Sequence, residues 1–141
     1  MADRRGTLPS FKSPVADRRS PFRSHGLSHV SLAVRDPERS LRFYAEVFGV
    51  HEYYRDETSI QAKGPGPWDV IAFEKNPEAA GKKGGITHFG VRLVEPRDID
   101  LAMEAVERAG GKVLRHGEFS PGFPYAYVAD PDGYEIEIWY E

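Results

Sequence analysis

Apolar and polar residues alternate, then switch to helical spacing, and this happens twice along the chain. In the run starting at Leu27, Val30, Leu32 and Val34 alternate with His29, Ser31 and Ala33. Side chains on a strand point to opposite faces in turn, so this run predicts a strand with one apolar face. Asp36-Pro37 follows, an N-cap residue and a proline suited to a first helical turn. Leu41, Tyr44, Ala45 and Phe48 then recur at helical spacing, and Gly49 marks the stop. Three strand-like runs come next, near residues 50–55, 58–63 and 68–74.

The same order returns downstream. Ile86-Thr87-His88-Phe89-Gly90-Val91-Arg92-Leu93-Val94-Glu95-Pro96 lies over Leu27–Pro37 in one ungapped register. Apolar falls on apolar, hydroxyl on hydroxyl, His on His and acid-Pro on acid-Pro. A helix is predicted from Arg97 to Ala109, ended by Gly110-Gly111, with strands near 112–115, 125–129 and 134–140. Asp130-Pro131-Asp132-Gly133 predicts a turn between the last two. The chain therefore reads as an α+β fold of two βαβββ modules, 26–74 and 86–141, joined by a Gly/Lys/Ala-rich linker at 75–85.

Residues 1–25 fit no such period. Their six basic and two acidic side chains give +4, leaving −7 for the rest of a chain whose net charge is −3. Prolines and serines recur there, so an extended basic N-terminal arm is expected before a single domain at 26–141. The arm has no apolar core of a secretory signal, and no run reaches the ~20 apolar residues of a membrane span. A cytoplasmic protein outside the membrane is expected, and the acidic balance argues against a nucleic-acid partner. The chain has no Cys. Thiolate metal sites, disulfides and Cys nucleophiles are thereby excluded, and any metal must be held by His and carboxylate.

The alternation also assigns faces to the polar residues. His29, on the first strand, and His88, at the start of the fifth, point away from the helix-covered faces. Glu135 and Glu137 do the same on the last strand, where they alternate with Ile136 and Ile138. If the modules curl into one sheet, these polar faces meet on a concave surface. Two imidazoles and one carboxylate form a facial triad with open positions, suited to Fe(II) or Mn(II) more than to zinc. Which Glu is the ligand stays open at this level. His116 falls in the Gly/Pro-rich stretch His116–Pro124, read as a loop able to cover such a site, and is a candidate acid/base.

Leu27–Gly49 and Asp130-Pro-Asp-Gly-Tyr-Glu-Ile-Glu-Ile138 resemble the opening and the ending of vicinal oxygen chelate domains. That superfamily includes glyoxalases, extradiol dioxygenases, fosfomycin-resistance thiol transferases and bleomycin-resistance proteins. The resemblance spans residues 26–141. It implies an open, cup-shaped mixed sheet with helices on the outside, around a divalent metal. His29, His88 and Glu137 match the family's ligand positions, with Glu135 as the fallback. Tyr127, before the turn, matches the tyrosine of the extradiol signature, which hydrogen-bonds the substrate. Ala126 departs from that signature, which has a larger apolar residue there. The fourth ligand typical of glyoxalases falls on Ile71 or Ala72, neither of which binds metal.

The resemblance thus implies a metal-dependent enzyme acting on a small molecule with two adjacent oxygens. A dioxygenase with Fe(II) is the first expectation. A lyase or thiol transferase with Mn(II), Ni(II) or Zn(II) is the alternative, and a non-catalytic small-molecule binding protein is the alternative from another class. A homodimer is implied by the resemblance as well.

Overall fold

The structure is a computed structural model that describes residues 21, 27, 29–67 and 69–140. The expected arm at 1–25 lies, apart from Pro21, outside the described residues. Both modules are present in the predicted order. Module one consists of β1 (His29–Val34), α1 (Pro37–Phe48), β2 (His51–Arg55), β3 (Ser59–Lys63) and β4 (Val70–Lys75). Module two consists of β5 (Phe89–Arg92), α2 (Ile99–Arg108), β6 (Lys112–Glu118), β7 (Pro124–Ala129) and β8 (Glu135–Trp139). A 3₁₀ turn at Pro96–Asp98 leads into α2, which therefore starts two residues later than its periodicity predicts.

The local signals act as expected in α1. Asp36 caps it by accepting from the Glu38 backbone N–H at 3.0 Å. Gly49 ends it in the left-handed region at φ 68°, where a side chain would be strained. The second acid-Pro pair differs, because Glu95 makes no side-chain capping bond.

Each module builds a four-stranded mixed sheet, in the orders β1-β4-β3-β2 and β5-β8-β7-β6. The first strand of each pairs in parallel with the last, and the remaining pairs are antiparallel. The helix-facing sides of both sheets join one hydrophobic cluster. Val34, Phe43, Tyr44 and Phe73 of module one meet Val106, Val128, Ile136 and Ile138 of module two, all fully buried. Burying that much apolar surface is the main term holding the modules together. It also decides the site, because each sheet is left with its polar face directed away from this core. Among the described residues no helix is long and apolar enough to cross a membrane.

Candidate metal centre

Module two brings three of the sequence-predicted site residues together. β5 and β8 pair in parallel, with Gly90 opposite Glu137, so His88 and Glu137 emerge side by side on the polar face. His88 Nε2 lies 3.2 Å from Glu137 Oε2. Tyr127 is directly opposite Glu137 on β7, and its hydroxyl donates to Glu137 Oε1 at 3.0 Å. The Tyr127 ring also stands edge-on to the His88 ring, with centroids 5.2 Å apart. Gly90 contributes by being small: a Cβ there would come within 3.3 Å of Trp139 Nε1, so the bare backbone makes room for the indole.

Glu137 is nearly buried, with its two carboxylate oxygens divided between a tyrosine and an imidazole. Glu135, two residues earlier on the same face, has other partners. The Arg115 guanidinium lies against both of its oxygens at 3.3 and 3.4 Å, and Lys83 Nζ lies 3.7 Å away. Arg115 holds the Glu135 carboxyl below its usual range, with Lys83 and His88 adding to the effect. Of the two carboxylates left open by alternation, Glu137 is the one that contacts His88 and Tyr127.

His29 is not brought to this cluster within the chain. It lines a concavity of roughly 390 Å³ on module one's polar face, with Ser31, Tyr53, Gln61, Lys63 and Glu74 among its other walls. Among the described residues no group of three or more His, Asp or Glu side chains is arranged to hold a metal ion. The repeat explains the asymmetry of the two faces. Ser31 corresponds to Gly90; Ser31 pairs with Ala72 where Gly90 pairs with Glu137. Ala72 is thus module one's counterpart of Glu137, and the choice between Ile71 and Ala72 is decided by register. Glu74 shares the His29 face, one pleat beyond Ala72.

His116 is placed differently from its sequence reading. β6 continues through Glu118, so His116 is on a strand rather than in a loop. It pairs with Ala126, whose side chain is in the core, and it lines the groove against Asp100, Met103, Glu104 and Glu107 at α2. That is the opposite face from Tyr127, so His116 does not approach His88 or Glu137.

Arg115 is a site residue that sequence reasoning missed. Strict alternation from Val113, which opposes core residue Val128, would turn Arg115 toward the helices. The register shifts between Val113 and Arg115, so Arg115 opposes Tyr127 instead. Its guanidinium carbon lies 4.0 Å from the centre of the Tyr127 ring. A single inserted residue flips every later side chain to the other face, and no local pattern marks where that happens.

The arrangement supplies an imidazole nitrogen, a carboxylate oxygen and a proton-carrying hydroxyl within contact of one another. Two donors 3.2 Å apart match the roughly 3 Å edge of an octahedral shell with bonds of about 2.1 Å. A hydrogen bond to a ligating carboxylate is the usual way to orient it. The residues therefore fit two adjacent positions of a divalent-metal shell.

Comparisons with known proteins identify the family of the fold. Residues 26–138 match the family model described as the Glyoxalase/Bleomycin resistance protein/Dioxygenase superfamily. The chain is 26% identical over 117 residues to a catechol-2,3-dioxygenase of Bacillus subtilis, covering 80% of this chain and 40% of that protein. The chain thus spans about two fifths of that relative's length. It is 31% identical over 129 residues to a lactoylglutathione lyase of Haemophilus influenzae, covering 78% of this chain and 88% of that one. The crystal structure of a glyoxalase-related enzyme from Fulvimarina pelagi superposes with a TM-score of 0.65 at 26% identity, covering 82% and 87% of the two chains. With the paired modules, the matched residues and these relatives in agreement, the chain belongs to the Glyoxalase/Bleomycin resistance protein/Dioxygenase superfamily.

Proposed function

We propose that this chain is a divalent-metal-dependent enzyme of the vicinal oxygen chelate type, with dioxygenase-type chemistry on a small molecule carrying two adjacent oxygens. Its ligands are His29, His88 and Glu137, and its metal is Fe(II) before Mn(II), Ni(II) or Zn(II). The observation that carries the reading is the Tyr127 hydroxyl donating to Glu137 beside His88. Glu137 is the carboxylate expected to bind, and Tyr127 is the tyrosine expected beside the substrate.

The third ligand comes from a second copy. His29 stands on the polar face of module one, apart from His88 and Glu137 in its own chain. A two-fold homodimer can set one chain's module one against the other's module two and so build two identical centres. Each centre then holds His88 and Glu137 of one chain and His29 of the partner subunit.

A bound metal supplies electrostatic stabilisation of negative charge developing on two adjacent substrate oxygens. The chain's own residues do the rest. Glu137 and His88 offer donors at a fixed separation. Tyr127 holds a proton at its hydroxyl, in contact with the ligand carboxylate, and hands it to or receives it from a substrate oxygen at the same edge. Tyr125, Tyr127 and Trp139 give the face an apolar floor that limits water.

The test is elemental analysis of anaerobically purified protein, followed by oxygen uptake with a panel of catechols. Bound iron with catechol-dependent uptake supports the reading. Co-expression of His29→Ala and Glu137→Ala chains tests the shared centre. A mixed dimer has one intact centre, so about one metal per dimer returns if the ligands are shared, and none if each chain carries its own. Protein that holds no metal and takes none up leaves a small-molecule binding protein.

A glyoxalase-type lyase is the second reading, favoured by the lactoylglutathione lyase relative, most of whose length is matched. Ala72 opposes it, because the extra ligand typical of those enzymes is missing at that register. Manganese, nickel or zinc in place of iron, with isomerase or thiol-transfer activity, selects this reading or the fosfomycin-type transferase.

A further inference from the structure

We propose that Arg115 is a positioning residue, which clamps the Tyr127 ring so that its hydroxyl stays on Glu137. This rests on the reading of His88 and Glu137 as metal ligands. The geometry is a chain of contacts across four strands of module two. Glu135 on β8 takes the Arg115 guanidinium on both of its oxygens. The planar head lies over the Tyr127 ring on β7 at 4.0 Å. The Tyr127 hydroxyl meets Glu137, again on β8, and Glu137 meets His88 beside β5. Lys83 adds a second cation to Glu135 and so helps to hold the anchor.

Three features make this more than a surface ion pair. The bulge in β6 at Leu114 is what turns Arg115 to this face, and bulges beside functional sites commonly re-aim a side chain in this way. The stacked partner is an arginine, whose flat guanidinium can lie on a ring and fork a carboxylate at once, which a lysine ammonium cannot. Gly117, two residues on and on the same face, leaves space for the neighbouring tyrosine: a Cβ there would sit 3.1 Å from the Tyr125 hydroxyl. The arrangement also gives Glu135 a role other than metal binding, since its oxygens serve Arg115 and Lys83.

The clamp has a consequence opposite in sign to simple electrostatics. Removing a positive charge near a cation site should tighten metal binding by Coulomb's law. If Arg115 acts by holding Tyr127 in place, its removal weakens binding instead, since losing a partner that orients a ligand typically costs about tenfold or more in metal affinity.

The experiment uses the full chain labelled with ¹³Cζ-tyrosine, with the Tyr127 resonance assigned by its disappearance in Tyr127→Phe. Arg115→Met is expected to shift or broaden that resonance in the metal-free protein and leave Tyr44 unmoved. Its Mn(II) dissociation constant should rise about tenfold. Arg115→Lys, which keeps charge but not the flat head, should recover only part of this. In the Tyr127→Phe background Arg115→Met should cause no further loss, because there is no hydroxyl left to hold. An unmoved Tyr127 resonance, tighter Mn(II) binding, full recovery by lysine, or an equal loss in both backgrounds overturns the proposal. Should Arg115→Met fail to fold, Glu135→Gln releases the same clamp and is read by the same resonance. Wild-type protein that binds no Mn(II) defeats the ligand reading, while the Tyr127 resonance still decides the clamp.

Discussion

The Tyr44 hydroxyl, on the helix of module one, donates to Asp130 Oδ2 in the β7–β8 turn of module two across 2.9 Å. The other Asp130 oxygen accepts from the backbone N–H groups of Asp132 and Tyr134, each at 2.9 Å. Beside it, the fully buried Asp132 carboxylate takes Arg35 and Arg39 at 3.0 Å. The return contact is the Tyr134 hydroxyl donating to the Ala33 carbonyl at 2.8 Å. One turn of module two is thereby fastened to the β1–α1 corner of module one. That fastening sets which way each polar sheet face looks.

Tyr44→Phe is expected to destabilise the fold by about 1–3 kcal/mol, because it leaves a buried carboxylate oxygen without its donor. The ring stays, so packing against Phe43 and Phe73 is retained. Urea unfolding checks this. Tyr54→Phe, on exposed β2, is the control and should stay within about 0.5 kcal/mol of wild type. Equal losses at the two positions would remove the fastening argument.

Burial raises the Asp130 carboxyl above its ordinary value of 3.8, and the hydrogen bonds from Tyr134, Tyr44 and Asp132 only partly offset that. The folded chain therefore binds this proton more tightly than the unfolded chain does. The resulting stability is fully present below about pH 3.8 and is lost as pH rises through the folded value. The stability difference between wild type and Asp130→Asn should shrink with rising pH in that window and then level off. A difference independent of pH, measured by denaturant titration at several pH values, would show that the group is not perturbed.

His88→Ala and Glu137→Ala should each remove most bound metal, since a three-ligand centre has none to spare. Glu135→Ala should retain more than either, losing only the roughly tenfold in affinity that releasing Arg115 costs. The reverse result for the two glutamates would move the ligand one pleat along β8. Metal content by elemental analysis after exhaustive dialysis decides this.

Deletion of residues 1–24 is expected to leave metal content and melting temperature unchanged. The described core elements begin at His29 and the family match begins at residue 26. A fall in melting temperature, or conversion of a dimer to a monomer on a sizing column, would give the arm a structural part.

The modules were legible because their signals are local. Alternation in 29–34 and helical spacing in 37–48 depend on neighbours a few residues away, and both elements formed where the pattern predicts. Glu137 and His88 could be assigned to one face for the same reason. Tyr127 was reachable only through resemblance, since an aromatic residue on a strand is ordinarily filler. Arg115 was out of reach, because a bulge leaves no periodic mark. His116 was misplaced because Gly117 and the prolines after it read as loop, whereas pairing with β7 carried the strand on to Glu118.

Local pattern was enough for two βαβββ modules, for the bounds of α1, and for the faces taken by His29, His88, Glu135 and Glu137. Short-range periodicity and capping suffice for that. Long-range packing was needed to show that the modules share one apolar core, that Ala72 stands where module one would need a carboxylate, and that His29 does not join His88 and Glu137 in a three-ligand group. It also decided that Glu135 is engaged by Arg115 while Glu137 meets Tyr127. These outcomes depend on register and on packing between residues up to about a hundred positions apart, where sheet pairing and burial act and local pattern carries no information.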